Sequence, residues 1–277
     1  MIDIFKYIDY RHFLKDYYRE EKEKKGSRFS FRNFSRAAGL SSPNFLQLVM
    51  EGKRNLGPDG IEGFKKALRL NKEESVYFEN LVHFNQSSND AERNQWYRHL
   101  STSRKYREIR EIERDYFVYF SRWYYVAIRD LVLLPEFRET SKWIAKKLSP
   151  KITEREAAHA LELLLRLGFL KREKGKLIQA ERNITTAREV ESLAISNFHR
   201  QMMGLAADSI DRTSPEKRDI SSLTIALSQE KFQEAKRRIQ EFRRELNVLL
   251  SEDSNIDSVY QINFQIFNLT EVPWPAK

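Results

Sequence analysis

The sequence predicts a mainly α fold, and three observations carry that expectation. Apolar residues recur at helical spacing over most of the chain. Only nine Gly and seven Pro interrupt 277 residues, which suits long helices better than a loop-rich β fold. Capping residues stand where the periodic runs begin, Thr153 with Glu156 three residues later being a capping-box pattern. The hydrophobic fraction of 40% supports a substantial core, and the length has room for two or three packed units. There is no Cys, which excludes disulfides, thiolate metal sites and a Cys nucleophile and fits a reducing, cytoplasmic setting. Met1–Lys6 is too short and charged for the apolar part of a signal peptide. No run approaches the ~20 consecutive apolar residues of a membrane span, so no membrane partner is expected. The net charge of +9 favours polyanions, because neutralising phosphates releases condensed counterions.

Taken in order, residues 10–25 form an amphipathic helix with Phe13, Leu14 and Tyr17 on its apolar face, broken by Gly26. Residues 30–38 make a second helix with Ser30 as N-cap. Gly39 ends it, Ser41 or Ser42 caps a third helix, and Pro43 fits that helix's first turn. The third helix runs from Pro43 to about Glu51 with Phe45, Leu48 and Val49 inward, and residues 52–58 are a turn-rich exit. Helices at 59–70 and 72–85 follow, the latter capped by Asn71. Residues 86–95 are uniformly polar and suggest a linker. The aromatic-rich stretch 96–134 suggests one or two buried helices. Helices at 141–148 and 153–167 lead through Gly168 into a hairpin with a charged tip at Gly175. Residues 188–211 are helical, with Val190, Leu193, Ile195, Phe198, Met202, Leu205 and Ala206 on the buried side. Residues 220–227 and 259–267 alternate like strands around a strong helix at 230–250. This gives three regions: 1–85, 96–186 and 187–277.

Residues 31–56 are the most informative. A helix-turn-helix needs small residues where its helices cross, a turn residue tolerating positive φ, and an apolar lock. Ser35 and Ala38 are the small residues, Gly39 the turn, and Phe34, Leu40, Phe45 and Leu48 the lock. Ser42, Asn44, Gln47 and Glu51 remain outward. Asn and Gln can pair bidentately with adenine, and Ser can bond to either base type, so Ser42, Asn44 and Gln47 are the candidate base readers. Arg32, Arg36, Lys53 and Arg54 flank that face and suit phosphates.

This segment resembles the phage-repressor-like (lambda-repressor-like) helix-turn-helix family. The resemblance rests on Phe34-Ser35-Arg36-Ala37-Ala38-Gly39-Leu40-Ser41 and on Gly52-Lys53-Arg54-Asn55. It covers roughly residues 5–85 and implies a five-helix domain whose third helix enters the major groove. Phe34 replaces the family's usual Leu, and the recognition helix is one residue longer before Gly52. Over its full length the chain also resembles an uncharacterised bacterial, transcription-regulator-like family joining such a head to a long helical domain. That likeness is carried by the Asp9–Tyr18 pattern, the Gly52–Asn55 turn and Gly168-Phe169-Leu170.

The helices at 141–148 and 153–167 with the hairpin are similar to a winged helix, so the middle region is expected to be winged-helix-like. Glu154, Glu156 and Glu162 on the helix that would enter a groove oppose phosphate binding and favour a scaffolding or dimerising role. Arg172, Lys174 and Lys176 of the wing remain candidate backbone contacts. The terminal strand–helix–strand needs partners for its edges, from a second subunit or from the wing. The aromatic cluster from Tyr116 to Tyr125 is core or lines a ligand pocket. His12, His83, His99, His159 and His199 hold no pair at metal-clamping spacing, and no phosphate loop or nucleophile elbow appears. The expectation is a non-enzymatic, cofactor-free, homodimeric regulator of double-stranded DNA, its effector unidentified. The alternative is a protein–protein adaptor that keeps the fold without DNA affinity.

Overall fold

Capping chemistry sets most helix boundaries in the computed structural model, which describes residues 2–180, 188–251, 253 and 255–271. The first five helices are α1 (Tyr10–Lys25), α2 (Phe31–Ala37), α3 (Phe45–Met50), α4 (Pro58–Leu68) and α5 (Lys72–Gln86). The Asp9 side chain accepts from the Arg11 and His12 amides at the start of α1, and Ser30 accepts from Asn33 N at the start of α2. Asn71 and Glu74 close a reciprocal capping box on α5. Gly39, at φ +71°, supplies the left-handed turn between α2 and α3.

Asp90–Thr102 is a helix, α6, so the expected linker is not one. Asn89 caps it by accepting from Glu92 N at 3.0 Å, and Asp90 and Glu92 sit where the helix dipole favours anions. The polar composition of residues 86–95 is that of a capped, solvent-facing first turn. Gln86 itself ends α5. The aromatic stretch divides into more pieces than expected: the end of α6, then α7 (Arg104–Ile109), α8 (Glu111–Ser121) and α9 (Trp123–Leu131).

Two compact units result. The first comprises residues 2–121 with the opening turns of α12 (Arg188–Arg212). Its core joins Phe13, Phe34, Leu46, Phe64 and Phe78 to Tyr97, Leu100 and Tyr106 of α6 and α7 and to Val190 and Leu193 of α12. Helices α1 to α5 therefore share one apolar core with the elements that follow them. Small residues permit the crossing of α2 and α4. A Cβ on Gly63 would lie 2.2 Å from the Ala38 carbonyl oxygen.

The second unit holds residues 122–180 and 198–271. Here α9, α10 (Ser141–Lys147) and α11 (Glu154–Leu167) pack together, and α11 leads into the antiparallel hairpin of β1 (Leu170–Glu173) and β2 (Lys176–Gln179). The predicted capping box of Thr153 with Glu156 and the left-handed Gly168 bound α11. Lys174 and Gly175 both have positive φ, +49° and +77°, as a two-residue type I′ hairpin turn requires. Three helices and a wing make this region winged-helix-like. The unit ends with α13 (Gln229–Ser251).

The expected terminal strands do not form. Residues 220–227 and 259–267 carry no ladder, and among the described residues no backbone hydrogen bond joins them to each other or to the wing. A strand exists only as one of a pair, and neither segment has its pair among the described residues. No helix among the described residues is long and apolar enough to cross a membrane.

Candidate nucleic-acid interface

Helix α3 begins at Phe45, two residues later than the sequence suggests. Pro43 and Asn44 form the turn that precedes it, and neither Ser41 nor Ser42 caps it. Asn44 occupies the N-cap position without a side-chain capping bond. Its buried set is Leu46, Val49 and Met50, so the inward register sits one residue from the expected Phe45, Leu48 and Val49. Phe45 is half-buried against Phe64, with ring centroids 6.2 Å apart, and Leu48 is half-buried. Five of the six α3 residues are apolar, so the period alone permits either register. The wide Phe45 ring fits the α4 flank, whereas Leu46 is wholly buried.

At about 100° per residue, the side opposite Leu46, Val49 and Met50 carries Asn44, Leu48 and Glu51, with Gln47 at its edge. Asn44 and Glu51 are exposed, and Ser42 and Gln47 are half-buried. Glu51 organises this surface. It accepts from Gln47 Nε2 at 2.8 Å and pairs with Lys53 Nζ at 2.7 Å. The hydrogen bonds from Lys53 and Gln47 hold its carboxyl below the usual range, and Lys15 of α1 adds a favourable charge. Two predicted contact residues, Gln47 and Lys53, thus share one carboxylate.

Arg32, Arg36 and Arg54 are exposed, with no ion-pair partner among the described residues. Arg32 and Arg36 stand at i and i+4 on α2 and so share a side of that helix. Gly52, at φ +76°, turns the chain out of α3, and the Lys53 and Arg54 amides both donate to the Leu48 carbonyl, at 2.9 and 3.2 Å. The backbone of this turn closes the helix while its side chains supply the charge.

A positioning residue absent from the sequence reading is Arg11. Its Nε donates to the Val49 carbonyl at 3.1 Å and its Nη2 to Asn55 Oδ1 at 2.7 Å. It adds a second donor to a carbonyl that also accepts from Gly52 N at 3.0 Å, and it binds the exit turn to α1. The guanidinium also lies 4.6 Å from the centroid of the Tyr10 ring. Beside it, Gln86 accepts from Tyr10 Oη at 2.7 Å and from Leu56 N at 2.8 Å, and donates to Leu56 O at 2.9 Å. The only sequence trace was that Arg11 and Asn55 each belong to a motif quoted for a family resemblance.

In the wing, Arg172 is held bidentately by Glu139, and Lys171 pairs with Glu173 at 3.2 Å. Lys174 and Lys176 are exposed, with no ion-pair partner among the described residues. Gln179 fixes β2 to α9, its Nε2 donating to Arg129 O at 2.9 Å and to Asp130 Oδ1 at 2.7 Å. Burial raises the Asp130 carboxyl above its ordinary value. Within the aromatic cluster, Tyr116 and Tyr119 each pack on Phe120 in α8, and Tyr124 packs on Tyr125 in α9. Tyr119, Tyr124 and Tyr125 are buried. Among the described residues no group of His, Asp and Glu could hold a metal ion.

Sequence and structure together define a mainly helical chain of two compact units with one two-stranded hairpin in the second. A family described as a domain of unknown function (DUF4423) matches residues 103–269, and the chain belongs to that family. The match takes in α7 to α13 and leaves α1 to α6 outside it. No curated protein and no solved structure matches the chain.

Proposed function

We propose that the chain is a cytoplasmic, sequence-specific DNA-binding transcriptional regulator that acts as a homodimer. The observation that carries this reading is the surface around α3. Asn44 stands exposed there, with Gln47 beside it, and the exposed guanidiniums of Arg32, Arg36 and Arg54 have no carboxylate partner among the described residues. Hydrogen-bonding side chains read base edges, and unneutralised cations bind phosphates. Ser42 contributes at the start of the turn, and Lys53 joins the phosphate contacts once released from Glu51. Lys174 and Lys176 of the wing are secondary backbone contacts, with Arg172 available only on leaving Glu139.

The test is titration of the full chain onto a pool of random duplexes, followed by measurement on the selected site over a range of salt. Binding is expected to weaken steeply as salt rises. Asn44→Ala or Gln47→Ala should relax preference at one base pair, at a cost of about 1–3 kcal/mol. Arg36→Ala should weaken all duplexes alike. Undetectable duplex binding at low salt would remove the regulator reading.

One observation favours the adaptor alternative. Glu51 places a negative charge on the outward side of α3, where phosphate-lined DNA would meet it. A protein partner carrying a cation at that point would be accepted there, and binding to such a partner without DNA would establish it.

A further inference from the structure

We infer that α13 is the seam through which two copies of the chain join, as an antiparallel two-helix coiled coil. This rests on the homodimer part of the proposed function and not on DNA binding. Six of the eight apolar residues of α13 fall at Phe232, Ala235, Ile239, Phe242, Leu246 and Leu249, with Val248 and Leu250 beside them. Their spacing of three, four, three, four and three is a heptad repeat, the pattern that keeps one seam facing a second helix. Nothing among the described residues completes it. No residue of α13 is buried, and Phe242 and Leu249 are 54% and 68% exposed. Phe264 approaches Phe242 at 6.1 Å between centroids, yet leaves most of that ring uncovered. Exposed apolar side chains aligned on one stripe favour a partner with a matching stripe. A second copy supplies that stripe by symmetry, in a two-fold interface that one surface forms with itself.

Charge sets the orientation. The residues beside the seam are Lys231, Lys236, Arg238, Arg243 and Glu245. A parallel pair places Lys231 against the partner's Lys236 and Arg238 against the partner's Arg243, so every flanking pair of cations repels. An antiparallel pair centred on the layer of Ile239 with the partner's Phe242 places Arg238 against the partner's Glu245, twice by symmetry. The like-charge contact of Lys236 with the partner's Arg243 also occurs twice. Two attractions set against two repulsions still favour the antiparallel pair over the parallel one, in which all four contacts between flanking charges repel. The unpaired segments 220–227 and 259–267 flank α13 and gain neighbouring backbone in the same step.

Sedimentation equilibrium of the full chain without DNA tests this. The wild type should be a dimer, and Phe242→Glu with Leu249→Glu a monomer. Val248→Glu, off the seam, should remain dimeric. Arg238→Glu removes only an exposed ion pair with Glu234 of the same helix, at 2.8 Å, and should weaken the dimer roughly tenfold by turning two attractions into repulsions; adding Glu245→Arg should restore it. The chain's lack of Cys permits a further arm. Arg238→Cys with Glu245→Cys should cross-link on oxidation, and Arg238→Cys with Arg243→Cys should not. A monomeric wild type, a dimer that survives the double Glu substitution, an unrescued charge swap, or the reverse cross-linking pattern would each overturn the inference. A dimer that binds no DNA would sink the regulator reading and leave this one standing. A monomer that binds DNA would do the opposite.

Discussion

If the proposed surface binds DNA, replacing Glu51 by Ala should strengthen that binding, an unusual expectation for a side chain on a proposed recognition surface. Glu51 engages Lys53 at 2.7 Å and Gln47 at 2.8 Å, so it holds two contact residues and adds an anion of its own. Its removal frees one ammonium for a phosphate and lifts one repulsion. One extra neutralised phosphate steepens the slope of log affinity against log salt by about 0.9. That slope is worth roughly 3.5-fold between about 50 and 200 mM salt. Combined with the lost repulsion, we expect about tenfold tighter binding near 50 mM, shrinking to about threefold near 200 mM. Fluorescence anisotropy with a labelled duplex at four or five salt concentrations reads both quantities. Acidification of the wild type should not mimic the substitution across neutral pH. The Glu51 pKa is lowered, so its carboxylate stays charged until the pH falls below the usual carboxylate range. An unchanged slope would show that Lys53 does not reach a phosphate. Weaker binding would make Glu51 itself a base reader, accepting from a cytosine amine.

Three further outcomes concern stability. Gly63→Ala forces a methyl to 2.2 Å from the Ala38 carbonyl oxygen and should cost about 1–3 kcal/mol in urea unfolding, whereas Gly204→Ala in α12 meets nothing within 4 Å and should be neutral or stabilising. Equal effects would mean that α2 and α4 do not cross at Gly63. Arg11→Ala should cost about 0.5–1.5 kcal/mol by removing its hydrogen bonds to the Val49 carbonyl and Asn55, and Arg11→Lys should not restore it, since an ammonium lacks the planar fork that reaches both. Full rescue by Lys would show that charge alone matters. Asp130→Asn should stabilise the protein at neutral pH and not in acid: burial raises the Asp130 pKa, so the folded state favours its protonated form, and that advantage is lost as pH rises through the raised value. Loss of stability at neutral pH would show that the carboxylate itself is required by Gln179.

What was legible in the sequence was local. The caps at Ser30, Asn71 and Thr153, the turns at Gly39 and Gly168, and the hairpin at Gly175 all depend on chemistry within four or five residues, and they stand where expected. The register of α3 was not legible, because its run of apolar residues satisfies two helical faces equally and contacts with α4 decide between them. The start of α6 was hidden for a related reason, since capping residues and loop residues are the same residue types. Of the candidate site, the cations and Asn44 were legible as an exposed set. The bond from Arg11 to Asn55 spans 44 residues and leaves no periodic trace, and the shared use of Glu51 by Gln47 and Lys53 depends on side-chain reach. The terminal segments show the limit differently. Their alternation is plain, but no edge among the described residues pairs with either.

The brevity of α3 separates what folds the recognition element from what would read DNA with it. Six residues cannot sustain a helix alone, and Asn44 gives it no side-chain cap. It is held instead by Leu46 beneath it, by Arg11 on the Val49 carbonyl, and by the amides of Lys53 and Arg54 on Leu48. Lys53 and Arg54 thus serve the fold through their backbone and the proposed DNA contact through their side chains. Arg54→Ala should therefore leave unfolding free energy within about 0.5 kcal/mol of wild type while reducing the salt slope of binding by about one. Asn55→Ala, one residue on, should do the reverse in kind, lowering stability by releasing Arg11 while the number of cations stays the same. Parallel urea unfolding and salt titrations of the two variants would separate these contributions. If Arg54→Ala proves the destabilising one, its side chain holds the turn, and the cations at the end of α3 are structural rather than poised for phosphate.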